Sequence, residues 1–351
     1  MTAKIAERRI QKILVPLDGS NNASVGLDVA ADIAAKFGAD LKILHVGLRQ
    51  PSPLKALNEA ANRSFKQAEQ SGEWTSDHTN WPRRLQVLDH MGHMILDDGQ
   101  ARAKNRGASS IQAMIDWGDE GERILHHSKH PPVDMIVMGS RGASPLEGLF
   151  LGSVSHKVFT LAPCTCVTVH ATKGQSELGK PKRIVVPFDG SDHAAKAVEL
   201  ACGLAEKFSS QLKFIHVLQH GQSPEHFLDV VDLDRLDTQT RLALNHVKTA
   251  ASRAMETAFT LPEIPGSALR NIAEQILVRA QDIAKVGGIS KVETEILDGD
   301  PAQNILDVVK RDDADMLVMG MRGLGEVTGM LVGSVSYKVG HLAPCTCITV
   351  R

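Results

Sequence analysis

The chain of 351 residues carries 39 Lys and Arg against 41 Asp and Glu, which gives a formal net charge of −2. At roughly 150 residues per domain this length suggests two domains, and the near-neutral charge argues against nucleic acid as a general partner. Hydrophobic residues make up 42% and charged residues 23% of the chain, a composition typical of a folded globular protein and unlike that of disordered or fibrous chains.

Aromatic residues are scarce, with nine Phe, three Trp and one Tyr, so the cores must be built mainly from Ala, Val, Ile, Leu and Met. No apolar run approaches the ~20 residues of a membrane span, and the first residues lack the apolar stretch of a signal peptide. We therefore expect a cytoplasmic protein that does not contact membranes. Five cysteines do not form the framework of a disulfide-rich secreted domain.

The sequence contains an internal repeat of about half its length. Four blocks recur in the same order: ILVPLDGS at 13–20 and IVVPFDGS at 184–191, LKILHV at 41–46 and LKFIHV at 212–217, DMIVMGSRG at 134–142 and DMLVMGMRG at 315–323, and LGSVSHKVFTLAPCTCVTV at 151–169 and VGSVSYKVGHLAPCTCITV at 332–350. Such a repeat predicts two homologous domains. We place them at 1–170 and 183–351, joined by a linker at 171–182 that is rich in Gly, Ser, Lys and Pro.

In chain order, each half begins with a short apolar run, at 13–17 in the first copy, which is typical of a strand buried on both faces of a parallel sheet. A helix follows, with Ser20 as its N-cap and Gly38 as its end, and Ser191 as the N-cap of the second copy. Later apolar runs at 41–46, 135–138 and 165–169 predict further strands. Because parallel strands need crossover connections, the order favours a doubly wound α/β sheet with ligands beyond the carboxyl ends of the strands.

The segments at 47–117 and 218–298 differ most between the halves. Their apolar spacing predicts helices that pack on the sheet or on the other half. The first copy adds a His- and Trp-rich stretch at 74–93, a candidate docking segment for a protein partner. Trp117 falls at the predicted carboxyl end of the third strand, near the first candidate site.

A glycine pattern carries the functional signal. Gly139-x2-Gly142 is followed by nine residues and then by Gly152-Ser153, and the second half repeats this spacing from Gly320. The first glycines follow a buried strand and let backbone amides approach a ligand, and the last pair opens a helix whose amides and dipole favour anions. A phosphate chain suits this arrangement, with the hydroxyls of Ser153 and Ser155, or of Ser334 and Ser336 in the second half, as added donors. The plainer alternative is that the glycines only permit tight turns.

On these residues both halves resemble the universal stress protein family, over 13–169 and 184–350. Nucleotide-binding members of that family carry G-x2-G-x9-G-[ST], and both copies fit it without a gap. The resemblance implies two doubly wound, mostly parallel five-stranded sheets flanked by helices and paired as a pseudo-two-fold intramolecular dimer. It also implies ATP binding, and a bound triphosphate is expected to bring Mg²⁺.

The resemblance assigns nucleotide contacts by position in each half. The nucleoside would meet the ends of the first two strands and the phosphates would meet the glycine pattern. In the first half these residues are Pro16, Asp18, Val46, Gly139, Gly142, Gly152, Ser153 and Val154. In the second half they are Pro187, Asp189, Val217, Gly320, Gly323, Gly333, Ser334 and Val335.

The sequence also allows other hypotheses about the aspartates and about the function. Asp18 and Asp189 precede Gly-Ser, where aspartate often serves only as a turn or cap residue. The same pockets would suit a slow ATP hydrolase, although no nucleophile with a nearby base is visible and no catalytic residue is assigned. A nucleotide-independent interaction module is the third reading. The sequence identifies neither the protein partner nor the oligomeric state, and a further homodimer is compatible with it.

Two groups of potential metal ligands remain. The Cys-x-Cys pairs, 164/166 and 345/347, would form a zinc site only if the strands brought them together, and small buried side chains are the favoured interpretation. The histidines at 90, 93, 126, 127 and 130 have no counterpart in the second half. We interpret them as solvated helix residues.

Overall fold

The computed structural model describes residues 10–47, 55–71, 80–140, 151–170, 181–219, 231–254, 264–323 and 332–351. Gly142, residues 74–79 of the His- and Trp-rich stretch, and residues 171–180 of the predicted linker lie outside these ranges. The chain divides into two compact units, which we call domain 1, residues 9–180, and domain 2, which contains residues 181–351. Within the described residues, no helix has the length and apolar character needed to cross a membrane.

Domain 1 contains five strands and five described helices. The strands are β1 Lys12–Pro16, β2 Asp40–Gly47, β3 Ile111–Trp117, β4 Met135–Gly139 and β5 Thr165–Val169, and the helices are α1 Asn21–Phe37, α2 Lys55–Ser71, α3 Arg83–Asn105, α4 Glu120–Lys129 and α5 Ser153–Leu161. The strands lie in the order β3-β2-β1-β4-β5 and all four pairings are parallel.

Domain 2 repeats this order. Its strands are β6 Arg183–Pro187, β7 Gln211–Leu218, β8 Glu293–Asp298, β9 Met316–Gly320 and β10 Thr346–Val350, and its helices are α6 Asp192–Phe208, α7 Thr238–Ala254, α8 Gly266–Val286, α9 Pro301–Arg311 and α10 Ser334–Leu342. The strand order is β8-β7-β6-β9-β10, again parallel throughout. The prediction of two doubly wound five-stranded sheets is confirmed.

The first helix of each domain has the predicted start. Ser20 Oγ accepts a hydrogen bond from the Ala23 N–H at 3.2 Å, which caps α1, and Ser191 does the same for α6 at 3.1 Å from Ala194. Helix α1 ends at Gly38, whose left-handed φ of 66° suits a residue without Cβ. In α6 that position is held by a serine instead.

The apolar core of each domain lies along its central strands. The apolar side chains of β1 and those of β4 are almost completely buried, as expected for strands covered by helices on both faces. The long segment between β2 and β3 folds into α2 and α3, and α3 packs on β2, β3 and α1. In domain 1, Arg102 also binds the buried Asp28 through two nitrogens, Nε at 2.5 Å and Nη2 at 2.6 Å, which ties α3 to α1.

Candidate functional site

The candidate site lies at the carboxyl edge of each sheet, beside the point where the chain reverses its strand order. In domain 1 that point lies between β1 and β4, which end at Pro16 and Gly139. In domain 2 the corresponding ends are Pro187 and Gly320. In doubly wound folds this edge leaves a crevice for a ligand.

The aspartate that follows the first strand closes a turn in both domains. Asp18 Oδ1 accepts the Ser20 N–H at 2.9 Å, and Asp189 Oδ1 accepts the Ser191 N–H at 3.0 Å. The intervening glycine, Gly19 in domain 1, has φ of 80°, the left-handed conformation that such a turn requires. The turn role considered from the sequence is therefore present in both copies, and it directs the chain into the N-terminus of the first helix.

The structure brings two predicted site residues together in domain 2. A Cβ on Gly323 would overlap Oδ2 of Asp189, so the backbone after β9 lies directly against this carboxylate. A side chain at position 323 would have to push this carboxylate oxygen aside. In domain 1 the corresponding glycine, Gly142, lies outside the described residues, so the same contact is not described there.

The first glycine of the pattern has a packing role that the sequence analysis did not assign. A Cβ on Gly139 would fall 2.6 Å from the carbonyl carbon of Asn22, and one on Gly320 would fall 2.8 Å from that of His193. These atoms belong to the first turns of α1 and α6. The absence of a side chain at Gly139 and Gly320 is thus explained by the close approach of a helix to the strand end.

The second part of the pattern starts a helix without a side-chain cap. Gly152 and Gly333 are the N-caps of α5 and α10, and neither has a side chain to accept an amide hydrogen. The Gly152 N–H donates to the Ser140 carbonyl at 2.8 Å, which ties the helix start to the segment after β4. The first amides of such a helix, together with its dipole, favour an anion.

The predicted residues Ser153 and Ser334 are exposed at the first position of these helices, and Val154 and Val335 follow as partly buried residues. These four residues come next to the strand-end loops in both domains. Ser153 and Ser334 therefore stay available to a ligand at the carboxyl edge.

The added hydroxyl donors expected at Ser155 and Ser336 are a wrong prediction. Ser155 Oγ donates to the Gly139 carbonyl at 2.9 Å, and Ser336 Oγ donates to the Gly320 carbonyl at 2.8 Å. Both serines are buried. Because each hydroxyl has one proton and donates it to a backbone carbonyl, these serines stabilise the strand end and do not donate to a phosphate.

The edge next to Val46 is aromatic in domain 1. Trp117 ends β3, as predicted, and lies over Gly47, so that a Cβ added to Gly47 would fall 2.7 Å from Trp117 Cε3. Trp81 packs edge-on against Trp117, with ring centroids 4.9 Å apart. The indole of Trp117 therefore covers the residue that follows the buried Val46.

The described strand ends of domain 2 carry no aromatic side chain at the corresponding positions. Leu218 takes the place of Gly47 and Asp298 the place of Trp117 at the ends of β7 and β8, next to the partly buried Val217. The two edges thus share their backbone but present different side chains beside the valine.

A repeated histidine was missed by the sequence analysis. The Nδ1 atoms of His45 and His216 lie 2.8 Å from the carbonyl oxygens of Leu17 and Phe188, and because a carbonyl only accepts, Nδ1 carries the proton. Both side chains are buried, and burial lowers the pKa of each. The signal was present in LKILHV and LKFIHV, where the histidine recurs at the same offset as the first-strand aspartates.

Carboxylates gather at the edge of domain 1. Burial, and after it the charges of Asp18 and Asp119, raises the pKa of Glu120 at the start of α4. Asp119 caps α4 by accepting the Glu122 N–H at 2.9 Å and also binds Lys157 Nζ at 3.0 Å. Domain 2 repeats the cap at Asp300, which accepts the Gln303 N–H at 2.7 Å.

The four cysteines of the Cys-x-Cys pairs are buried thiols, as is Cys202. Burial raises the pKa of Cys347 to about 12 and also raises that of Cys345, which keeps both thiols protonated at neutral pH. Across the described ranges, no group of three or more His, Cys, Asp or Glu side chains is placed to hold a metal ion.

The interpretation of the histidines is correct for some and wrong for others. His93 and His126 are exposed on their helices, and His130 is exposed directly after the end of α4. His127 and His90 are buried: His127 binds Asp116 and Lys42, and His90 Nε2 lies 2.9 Å from Ser64 Oγ. A polar face in the sequence does not reveal that one of its members turns toward the sheet.

Comparison with known proteins gives a consistent result. The model of the universal stress protein family matches the chain twice, at residues 9–170 and 180–351. Universal stress protein YxiE of Bacillus subtilis is 32% identical over 158 residues, which are 45% of this chain and 97% of that protein. A universal stress protein of Thermus aquaticus is 29% identical over 170 residues, 48% of this chain and 98% of its own.

A solved structure resembles the fold of the full chain. It is a universal stress protein from Archaeoglobus fulgidus, aligned over 98% of this chain and 97% of its own with a TM-score of 0.59 and 21% sequence identity. At that identity the likeness concerns the fold.

Proposed function

Because the chain belongs to the universal stress protein family over residues 9–170 and 180–351, we propose that it is an ATP-binding regulatory protein of the stress response. Each domain would carry one nucleotide site at the carboxyl edge of its sheet. The pairing of the two domains as an intramolecular dimer stays a prediction of the sequence analysis.

One observation above all supports the proposal. In both domains a helix begins at a glycine that has no side chain to cap it. The N–H of this glycine is hydrogen-bonded to the first residue after β4 or β9. Ser, Thr, Asp or Asn at this position would accept one of the first amides with its own side chain, which glycine does not do. Leaving it to Gly152 and Gly333 keeps the first amides and the positive end of the dipole for an outside anion such as a phosphate chain.

Further residues fit the nucleoside end of the ligand. The aspartate at the end of the first strand is oriented by its own turn, and in domain 2 it lies against Gly323. The backbone of Val46 or Val217 would meet the adenine. Magnesium would bind chiefly through the phosphates, since Mg²⁺ in nucleotide sites takes few protein carboxylates.

Nucleotide binding would act as a regulatory input only if the ligand has different affinities for two states of the protein. A micromolar site supplies about 8 kcal/mol of binding free energy, and the part of it that differs between states sets the size of the shift. We assign no catalytic residue, so release of phosphate from ATP is expected to stay near the buffer background.

The test uses the full chain, stripped of nucleotide and titrated calorimetrically with ATP and Mg²⁺. The informative change is Gly333→Asp: a Cβ there meets only ordinary contacts, the nearest at 3.4 Å, and the aspartate would cap α10 itself while repelling a phosphate. The matched control is Gly333→Asn, which caps the helix equally well without the charge. Gly152→Asp and Gly152→Asn form the same pair in domain 1.

We expect two binding events in the wild type. In each Asn variant the side chain occupies one of the first helix amides, so ATP should bind more weakly at the changed site. Each Asp variant should bind ATP at that site at least about tenfold more weakly than the matching Asn variant, which is 1.4 kcal/mol. The proposal is wrong if the wild type binds no ATP, or if the double Asp variant binds it as tightly as the double Asn variant. In either case the interaction-module reading takes its place.

A further inference from the structure

Three side chains of domain 1 form a chain of hydrogen bonds on the sheet face under α4. Lys42 Nζ on β2 lies 3.1 Å from Nδ1 of His127 on α4, and Nε2 of the same ring lies 2.8 Å from Oδ2 of Asp116 on β3. His127 is buried, and Lys42 and Asp116 are partly buried. The site is assembled by two adjacent parallel strands and the helix that covers them.

The chemistry of the partners fixes the proton positions. Asp116 is a carboxylate and only accepts, so His127 Nε2 carries the ring proton and donates it. Nδ1 then presents a lone pair to the Lys42 nitrogen. His127 Nδ1 is thus a proton acceptor next to the Lys42 amine, and the Asp116 carboxylate lies on the other side of the imidazole. Side-chain nucleophiles are activated by groups in this order.

The surroundings strengthen this order. Burial lowers the pKa of Lys42. It also lowers the pKa of His127, in spite of the hydrogen bond that His127 donates to Asp116, so both side chains are biased toward their neutral forms. Asp116 keeps its charge because His127 and the Trp117 N–H donate to it. The other charged or titratable groups that face the cluster are Arg123, 3.8 Å from Asp116, and His126, whose ring is 5.4 Å from that of His127.

The lysine at the equivalent strand position of domain 2, Lys213, is held in its charged form. Lys213 Nζ lies 2.7 Å from Glu295 Oε2 and 2.6 Å from Asp312 Oδ2, and these carboxylates raise its pKa in spite of burial. Val308 stands where domain 1 has His127, and Leu297 stands where it has Asp116. The chain therefore holds an ion-paired lysine and a histidine-backed lysine on equivalent strands.

We propose that Lys42 is an acylation site: an amine nucleophile, served by His127 and Asp116, that takes the acyl group of an activated acyl donor of the acyl phosphate class. The neutral amine attacks the carbonyl carbon and the C–N bond forms. The C–O bond to phosphate breaks, and phosphate leaves with its electron pair. The amine proton passes to His127 Nδ1, and Asp116 stabilises the imidazolium until it releases that proton to water.

The experiment treats the full chain with a limiting amount of acetyl phosphate and counts acetylated peptides by mass spectrometry over a range of pH. Lys213 serves as the internal control at the equivalent position, and exposed Lys129 as the control for an ordinary accessible amine. We expect Lys42 to react at least about tenfold faster than Lys213 at pH 7.5, because its pKa is lowered whereas two carboxylates hold Lys213 as an ammonium. Its rate should also reach its plateau at lower pH than that of Lys129.

Two variants separate activation from mere accessibility. His127→Val introduces the residue that domain 2 has at this position and should reduce Lys42 acetylation at least about tenfold. Asp116→Asn keeps an acceptor for His127 Nε2 but removes the negative charge, and it should reduce Lys42 acetylation less. If His127→Val does not fold, Asp116→Asn and the wild-type pH profile decide. The proposal is overturned if Lys42 reacts no faster than Lys213, or if its pH profile matches that of Lys129, or if folded His127→Val leaves its rate unchanged.

Discussion

Gly139 at the end of β4 lies so close to Asn22 at the start of α1 that an added Cβ would fall 2.6 Å from the Asn22 carbonyl carbon. Gly320 has the same relation to His193 in domain 2, at 2.8 Å. Real Cβ atoms do not approach backbone so closely, so the helix or the strand end would have to move. The first glycine of the repeated pattern is therefore required by the fold, whatever the ligand.

Gly139→Ala and Gly320→Ala should each lower the free energy of unfolding by about 1–3 kcal/mol, because the contact is with backbone that cannot rotate away. Urea unfolding measures this. Gly266→Ala is the control, since nothing lies within 4 Å of a Cβ at the first residue of α8. That change should leave stability unchanged or raise it by up to ~1 kcal/mol. Equal losses at Gly139 and Gly266 would contradict the packing argument.

Ser209→Gly should stabilise domain 2. Ser209 is the C-cap of α6 with φ of 59°, a left-handed conformation that costs roughly 1 kcal/mol for a residue with Cβ. Domain 1 already has Gly38 at that position, with φ of 66° and nothing within 4 Å of a Cβ. The reciprocal change Gly38→Ser should lose about as much, and thermal unfolding of both variants checks the pair. A loss of stability in Ser209→Gly would refute the prediction.

The stability of the protein should fall as the pH drops below about 6.5. His45 and His216 are buried with lowered pKa values, so the unfolded chain takes up their protons before the folded chain does. The stability they contribute is present above the unfolded pKa and is lost as the pH falls toward the folded pKa. Melting temperatures at pH 7.5 and 5.5 measure the loss.

The double variant His45→Asn/His216→Asn keeps a donor at the place of Nδ1 and removes both titrations. It should reduce the difference in melting temperature between pH 7.5 and 5.5. The part of the difference that persists is expected from His90 and His127, whose pKa values are also lowered. An unchanged slope would show that these two histidines do not carry the effect.

Glu120→Gln should stabilise the protein at pH 7. Burial and the charges of Asp18 and Asp119 raise the pKa of Glu120 above its unfolded value, so its ionised form is unfavourable in the folded state. The gain should shrink as the pH falls through the folded pKa, where the wild-type carboxyl takes up a proton. Glu122→Gln is the control, because Glu122 is exposed and lies 3.7 Å from Lys157. A gain that does not depend on pH would exclude this electrostatic cause.

The sequence was sufficient to predict the fold, because the repeat and the apolar runs both reflect burial. The strand at 165–169 is found as predicted, and the second strand is only one residue longer at each end than the predicted 41–46. Helix α1 begins and ends at the two residues whose chemistry fixes helix ends, Ser20 and Gly38. These features depend on local side-chain chemistry, which a sequence displays directly.

The site was only partly predictable, because its residues have roles set by neighbours far along the chain. Ser155 looks like a phosphate donor until Gly139, 16 residues away, is seen to accept its proton. His127 looks like one of several surface histidines until Lys42, 85 residues away, is placed against it. Such pairs follow from the crossover connections of the sheet and leave no local pattern in the sequence.

The contact of Trp117 with Gly47 gives the two domains unequal optical properties. All three tryptophans precede residue 118, and domain 2 has Asp298 and Leu218 where domain 1 has this pair. Indole emission from the native chain therefore originates in one domain only. A change at the edge of domain 1 can therefore be followed by its intrinsic fluorescence without labels or substitutions, and a response that fluorescence reports is assigned to that domain.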